Sequence, residues 1–388
     1  MRVLSLLLSI LFLFHGLQAY AWGFWAHKRL NRLAIFTLPP EMIKFYKFHM
    51  NYITEHAVDP DSRRYMVEGE AENHYIDVDH YDVYPFANVP RTWKEAVNKY
   101  SEDTLRSYGI VPWHLQVMMG RLTAAFRSKD VKRILKVSSD MGHYVGDSNV
   151  PLHTTENYNG QMSGQYGIHG FWESRLPEMY GDTYNYFVGK AVYIEDPLAE
   201  AWQTVFESHV ALDSVFGFEQ NLSKQFGADR KYGYENRNNV LTKVYSREFS
   251  KAYHDALAGQ VERRMRTTIH RIGSYWYTAW VNAGQPNLDE LLKPDKKAGE
   301  IQLPEEDQEL QQKKLNIIDR EASLYMRPSH LDDWYSCCMN HAMAHGYCPK
   351  TPLDHDHNDH QNLDPDYKPN PLIAAWDVVV HYVKTILV

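Results

Sequence analysis

Two pairs of potential metal ligands, His143 with Asp147 and His169 with Glu173, constrain this chain more than any other feature. A further histidine stands between them in the run Pro151-Leu152-His153. On a helix, residues i and i+4 lie one above the other, so each pair can pinch a single ion. Imidazole nitrogen and carboxylate oxygen together suit zinc, and with no thiolate nearby nothing suggests an iron–sulfur or zinc-ribbon site. A lone His-x-x-x-Asp pair is more often a surface hydrogen bond. Two such pairs with a histidine between them point to a cluster of ions.

Residues 1–21 read as a secretory leader. Arg2 is the positive flank, residues 3–14 are almost unbroken apolar, and Ala19-Tyr20-Ala21 is a small-x-small cleavage site. The run is too short to span a bilayer and no stop-transfer pattern follows, so a cleaved leader is expected rather than an uncleaved anchor. No lipobox-like cysteine follows either. The expected location is secreted or periplasmic. Cleavage after Ala21 would make Trp22 the new N-terminus, with His27 close behind.

An N-terminal Trp with a nearby His, then His-x-x-x-Asp, Pro-Leu-His and His-x-x-x-Glu, resembles the bacterial zinc-dependent phospholipases C and the single-strand-specific zinc nucleases of the same superfamily. The resemblance covers residues 22–287. It implies a mainly α, multi-helix domain with three Zn2+ ions at the base of a cleft. In that pattern the amine and carbonyl of Trp22, with His27 and a shared Asp147, hold one zinc. Asp61 or Asp59, with His74, His143 and Asp147, hold a second. His153, His169 and Glu173 hold the third. A neutral terminal amine is a good nitrogen ligand and exists only once the leader is gone, which couples secretion to metallation.

One ligand stays open between two carboxylates. The Pro60-Asp61 pair resembles the family pattern and favours Asp61, whereas counting back from His74 by the nuclease spacing favours Asp59. Asp61 is preferred. The other is then a supporting group or a turn residue, since Asp and Pro favour turns.

At 388 residues the chain is ample for one large domain plus an appendage. The net charge of −8 argues against a broad basic nucleic-acid surface but not against a small nuclease site in which metals supply the positive charge. The three cysteines, Cys337, Cys338 and Cys348, all lie near the C-terminus, so the main domain must stand on burial alone. Residues 113–136 and 249–281 carry apolar side chains at helical spacing, and Ser138-Ser139-Asp140 reads as the start of a further helix bearing His143 and Asp147. Strand-like alternation is scarce. Residues 282–287 close the domain, and residues 288–320 read as a charged linker or helix. Residues 321–388 form an extension that the resemblance does not explain.

Two zinc ions bridged by a carboxylate can share a water and bring its pKa near neutrality, and a third can grip the departing oxygen. That suits in-line hydrolysis of a phosphodiester, with Asp61 accepting a proton and Asp147 bridging. Tyr75 and Asp77 follow His74 and are expected to line the substrate cleft, Tyr75 alternatively as a packed wall. Glu173 and the short gap from His153 to His169 resemble the phospholipases. His74-Tyr75-Ile76-Asp77 looks more like the nucleases, where the aromatic stacks a base. The expected substrate is a phospholipid head group or, alternatively, a single-stranded nucleic acid. The expected enzyme is a monomer with no stable macromolecular partner. A non-enzymatic metal-binding protein is the remaining alternative, and the lack of His-Glu-x-x-His disfavours a zinc peptidase.

In the extension, Cys337, His341 and His345 are spaced by four and would align on a helix as a separate metal site. A disulfide from Cys348 to one of the adjacent pair is the simpler reading. Residues 354–360 read as a solvated His/Asp loop, and residues 372–388 as a packed terminal helix or strand rather than a membrane span.

Overall fold

The computed structural model describes residues 23–64, 66–237 and 240–292. The leader, Trp22, the linker from residue 293 onward, the C-terminal extension with its three cysteines and the 354–360 run lie outside the described residues. The chain divides into compact units Met1–Pro294 and Asp295–Val388, and only the first is described below.

The fold is mainly α. Its helices of eight residues or more are α1 (Phe24–Ala34), α2 (Pro40–Phe48), α3 (Trp93–Tyr100), α4 (Val111–Arg127), α5 (Val131–Ser148), α6 (Pro197–Val210), α7 (Leu212–Phe226), α8 (Arg247–Ala256) and α9 (Gln260–Asn282). Helices α1 and α4 each pack against α5 and α9, which also pack against each other, and α6 lies against α4 and α5. On α1 the buried positions are Ala26, His27, Leu30, Asn31 and Ala34, one stripe at helical spacing.

Helix α5 is the centre of the molecule. Asp130 caps it, accepting from the Arg133 amide at 3.1 Å, and every residue from Ser138 to Ser148 is buried. Small residues let neighbours approach closely. A Cβ on Gly142 would sit 2.0 Å from the Asn31 side-chain oxygen, so only glycine admits α1 here. Aromatic side chains tie the bundle together. Trp276 stacks on Tyr46 at 4.9 Å and donates to the Ser138 carbonyl, while Trp113 and Trp202 both donate to the Arg91 carbonyl.

Two expectations need correction. Ser138-Ser139-Asp140 starts no helix; α5 begins at Val131 and runs straight through it. The preceding break falls at Ser128–Asp130, where Lys129 takes φ 53° and Asp130 offers its cap. Residues 249–281 are likewise two helices, parted at Ala258 (φ 47°) and Gly259 (φ 76°). Strands are scarce but present: Tyr232–Arg237 pairs antiparallel with Val240–Tyr245, Tyr232 opposite Tyr245. Beyond Asn282 the described chain continues to Leu292, with Leu288 buried and a 3-10 turn at Asp289–Leu292. No helix among the described residues is long and apolar enough to cross a membrane.

Candidate metal centre

Eight of the residues singled out in the sequence meet in two adjoining buried groups. In the first, α5 supplies His143 and Asp147, α1 supplies His27, the short helix Asp59–Arg63 supplies Asp61, and the 3-10 turn Ala71–His74 supplies His74. Asp147 divides its carboxylate. One oxygen lies 3.3 Å from His27 Nε2, the other 2.8 Å from His74 Nδ1 and 3.2 Å from His143 Nε2. Asp61 Oδ1 lies 3.8 Å from His74 Nδ1 and 3.7 Å from His143 Nε2, and those two nitrogens are 3.1 Å apart. His27 and His143 stack at 3.9 Å.

The second group is His153, His169 and Glu173. Glu173 Oε2 lies 3.1 Å from His169 Nε2 and 3.5 Å from His153 Nε2. His153 rides a 3-10 turn opened by Pro151. His169 sits in one helical turn, Ile168–Gly170, that passes into a π-turn at Phe171–Arg175 holding Glu173. Such π-turns are frequent at functional sites. Arg175 then clamps Glu235 of the hairpin with two hydrogen bonds, at 3.0 and 2.8 Å, fixing that turn from behind.

These atoms fit metal ions better than they fit one another. His27 Nδ1 and Nε2, Asp61 Oδ2, His74 Nε2, Asp147 Oδ1, His153 Nε2, both His169 nitrogens and both Glu173 oxygens are buried without a hydrogen-bond partner, close though some approach. A buried group left in that state costs about 1–3 kcal/mol. Backbone carbonyls settle two tautomers. His143 Nδ1 donates to Ala57 O at 2.9 Å and His153 Nδ1 to His74 O at 2.6 Å, since a carbonyl can only accept. Each ring, when neutral, therefore turns a lone pair on Nε2 toward its group, the usual arrangement of a metal-binding histidine. Edges of 2.8–3.8 Å among His74 Nδ1, His143 Nε2, Asp147 and Asp61 bracket the ~3.3 Å ligand–ligand edge of tetrahedral zinc bound at ~2.0–2.1 Å.

The protonation states carry the same message. Burial pushes His27 down to about 4, and His74 and His169 to about 3. Burial likewise lifts Asp61 to about 7, with Asp147 adding to the rise, and Glu173 to about 8. For His143 burial acts against the charge, but Asp147 and Asp61 outweigh it and raise the ring to about 9. Asp147, despite burial, is held well below the usual carboxylate range by His143 and His153. With no ion bound, a proton on His143 occupies the place where a cation is wanted.

Asp59 is not in either group. It is half exposed and accepts from His56 Nδ1 at 2.7 Å, a local contact that explains its pairing with Pro60 at a helix start. Tyr75 is partly buried and its hydroxyl donates to Ser107 O at 3.3 Å. Asp77, also partly buried, is raised to about 7 by burial and by Asp79 and Glu156. Trp22 is outside the described residues; Gly23 lies against Ser174, the neighbour of Glu173.

The sequence reading missed Arg64. Among the described residues it makes no ion pair, yet its positive charge acts on Asp61, His74 and His169 together. Its position three residues after Asp61, one helical turn on, was the available signal. Glu70 and Tyr144 were also missed, and their hydrogen bond lies just behind His74.

Comparison with known proteins adds little to this geometry. The sequence matches no family model and no curated protein. Among solved structures the chain is similar to one described as Alpha Toxin from Clostridium Absonum, at 11% identity and TM-score 0.37 over 65% of this chain. It spans 63% of that protein's length.

Proposed function

We propose that the protein is a secreted zinc-dependent phosphodiester hydrolase of the phospholipase C kind. The observation that carries this reading is two buried His/carboxylate groups with unpartnered atoms, in the first of which Asp147 divides its carboxylate between His27 and the His74/His143 pair. Trp22 and His27 with Asp147 would hold one Zn2+; Asp61, His74, His143 and Asp147 a second; His153, His169 and Glu173 a third. When bound, such ions supply Lewis acidity to water and to phosphoryl oxygens.

The chain's own groups do the rest. Asp147 fixes the spacing of His27 and His74. Asp61 turns one oxygen to the histidines and keeps the other unpartnered, placed to take a proton from attacking water. Arg64 brings a fixed positive charge to the same spot and would hold a phosphoryl oxygen as negative charge builds. The carbonyls of Ala57 and His74 keep the imidazoles aimed.

A zwitterionic lipid is favoured over a polyanion because Asp77, Asp79 and Glu156 stand together beside the site. That acidic patch attracts a quaternary ammonium and repels a phosphate backbone. Tyr158, edge-on to His169 at 5.9 Å, and Met162 and Tyr166 on the same loop are exposed, giving apolar contact for acyl chains. The second reading, a single-strand nuclease, draws on Tyr75 and Asp77 lying side by side. Assaying the processed protein on phosphatidylcholine vesicles, single-stranded DNA and RNA decides. Release of phosphocholine is expected, and hydrolysis of the polynucleotides alone would overturn the lipid assignment.

A further inference from the structure

The unexplained group closest to the metal centre is His74 Nε2. Its partner nitrogen, Nδ1, faces Asp147, His143 and Asp61, so with an ion held on Nδ1 the ring hydrogen would sit on Nε2, which points away from the cluster. The ring is fully buried and Nε2 has no hydrogen-bond partner, unlike the outward nitrogens of His143 and His153, which each have a carbonyl. Within 4.0 Å of Nε2, the carboxylate among the described residues is Glu70, with Oε1 at 3.9 Å.

Glu70 is not free to wander. Its Oε1 accepts from the Tyr144 hydroxyl and lies 3.4 Å from Arg63 Nη2, which also reaches Asp140 at 3.2 Å. Tyr144 in turn packs edge-on against His74 at 5.3 Å and His143 at 5.6 Å. Glu70 and Tyr144 line a cavity of about 720 Å³ that has Arg63, His114 and Asp140 on its walls and none of the eight clustered residues. Of the eight clustered residues, His74 is the one with which Glu70 makes a close polar approach.

We propose that Glu70 is the positioning residue of His74, accepting its Nε2 hydrogen when the ion is bound. This rests on the metal reading above. Closing 3.9 Å to hydrogen-bond length takes a shift of about 1 Å, small for a carboxylate with three single bonds to its backbone. A carboxylate behind a ligating histidine fixes the ring and raises its basicity, and losing such a partner costs 10–100-fold in metal affinity.

The test uses the full processed chain as Glu70→Ala, Glu70→Gln and Tyr144→Phe, with zinc affinity from competition against a chromogenic chelator and the visible spectrum of the Co2+-loaded protein. Glu70→Ala is expected to weaken the tightest His74-dependent ion 10–100-fold and shift the cobalt bands. Glu70→Gln, which keeps a neutral acceptor, should recover part of both. Should Glu70→Ala not fold, Glu70→Gln and Tyr144→Phe decide alone, each by a smaller loss of affinity with a shifted spectrum. Lower thermal stability with affinity and cobalt bands unchanged means a purely structural brace, and overturns the proposal. Failure of the unsubstituted protein to bind ions would instead remove the metal reading itself.

Discussion

Asn31 occupies the space that any side chain on Gly142 would need, its oxygen 2.0 Å from the position of a Cβ there. Asn31 lies one turn after His27 on the same buried stripe of α1, and Gly142 precedes His143 on α5. This contact brings the two imidazoles into their 3.9 Å stack, and Asn31 secures it by donating to Ser139 O at 3.0 Å. Gly142→Ala should therefore destabilise by about 1–3 kcal/mol through overpacking, despite the ~1 kcal/mol that alanine gains over glycine in a helix. Urea unfolding of the zinc-free protein reads the difference, and an unchanged or raised midpoint would show that α1 has room to spare.

Asp147→Asn keeps the shape but loses the charge that serves three histidines at once. Turnover of a generic phosphodiester should drop by at least about a hundredfold, since even supporting partners of a metal ligand are worth 10–100-fold in affinity or activity. Elemental analysis should show more than one ion lost. Asp59→Asn, which disturbs only the contact with His56, should leave both quantities within about twofold. Equal damage from the two substitutions would contradict the placement of Asp59 outside the cluster.

Arg64→Ala separates charge stabilisation from ion binding. Metal content should stay as it was, while kcat/KM falls on the order of a hundredfold, as for loss of one donor to a developing anion. Loss of ions in this variant would recast Arg64 as a structural residue.

His114 gives a pH signature away from the clustered ligands. Burial, then the positive charges of Arg121 and Arg63, lower it to about 3, against 6.5 in a free chain. Between those values the unfolded chain binds a proton that the folded one refuses, so stability is lost as pH falls below about 6.5. The loss is about 2 kcal/mol at pH 5, at ~1.4 kcal/mol per unit. Metal-free His114→Gln should lose correspondingly less between pH 7 and pH 5 in urea titrations. Parallel curves for the two proteins would mean that the ring is protonated in the fold.

Much of the centre could be read from spacing because α5 really is one regular helix, where residues four apart share a face; His143 and Asp147 follow directly. His169 and Glu173 keep the same spacing through a π-turn, which no periodicity in the sequence announces. The break between α4 and α5 was misplaced because Ser138 and Ser139 look like cap residues. Inside a bundle they serve as small contacts, Ser138 for Tyr46 and Trp276. Local pattern could not choose between Asp59 and Asp61, as both stand in one turn and only packing against His74 and His143 separates them. Arg64 left only its spacing from Asp61 as a sign and Glu70 none, because their meaning lies in groups brought near by tertiary folding.

The strap between residues 74–76 and 153 carries a lasting consequence. The Ile76 amide donates to the His153 carbonyl at 2.9 Å, and the His153 ring answers to the carbonyl of His74. Displacing the backbone at residue 74 therefore moves the His153 ring with it, and shifting the turn at residue 153 pulls on residues 74–76. Neither pocket can thus drift toward a different ion or geometry alone, and any substitution that loosens one must be tolerated by both.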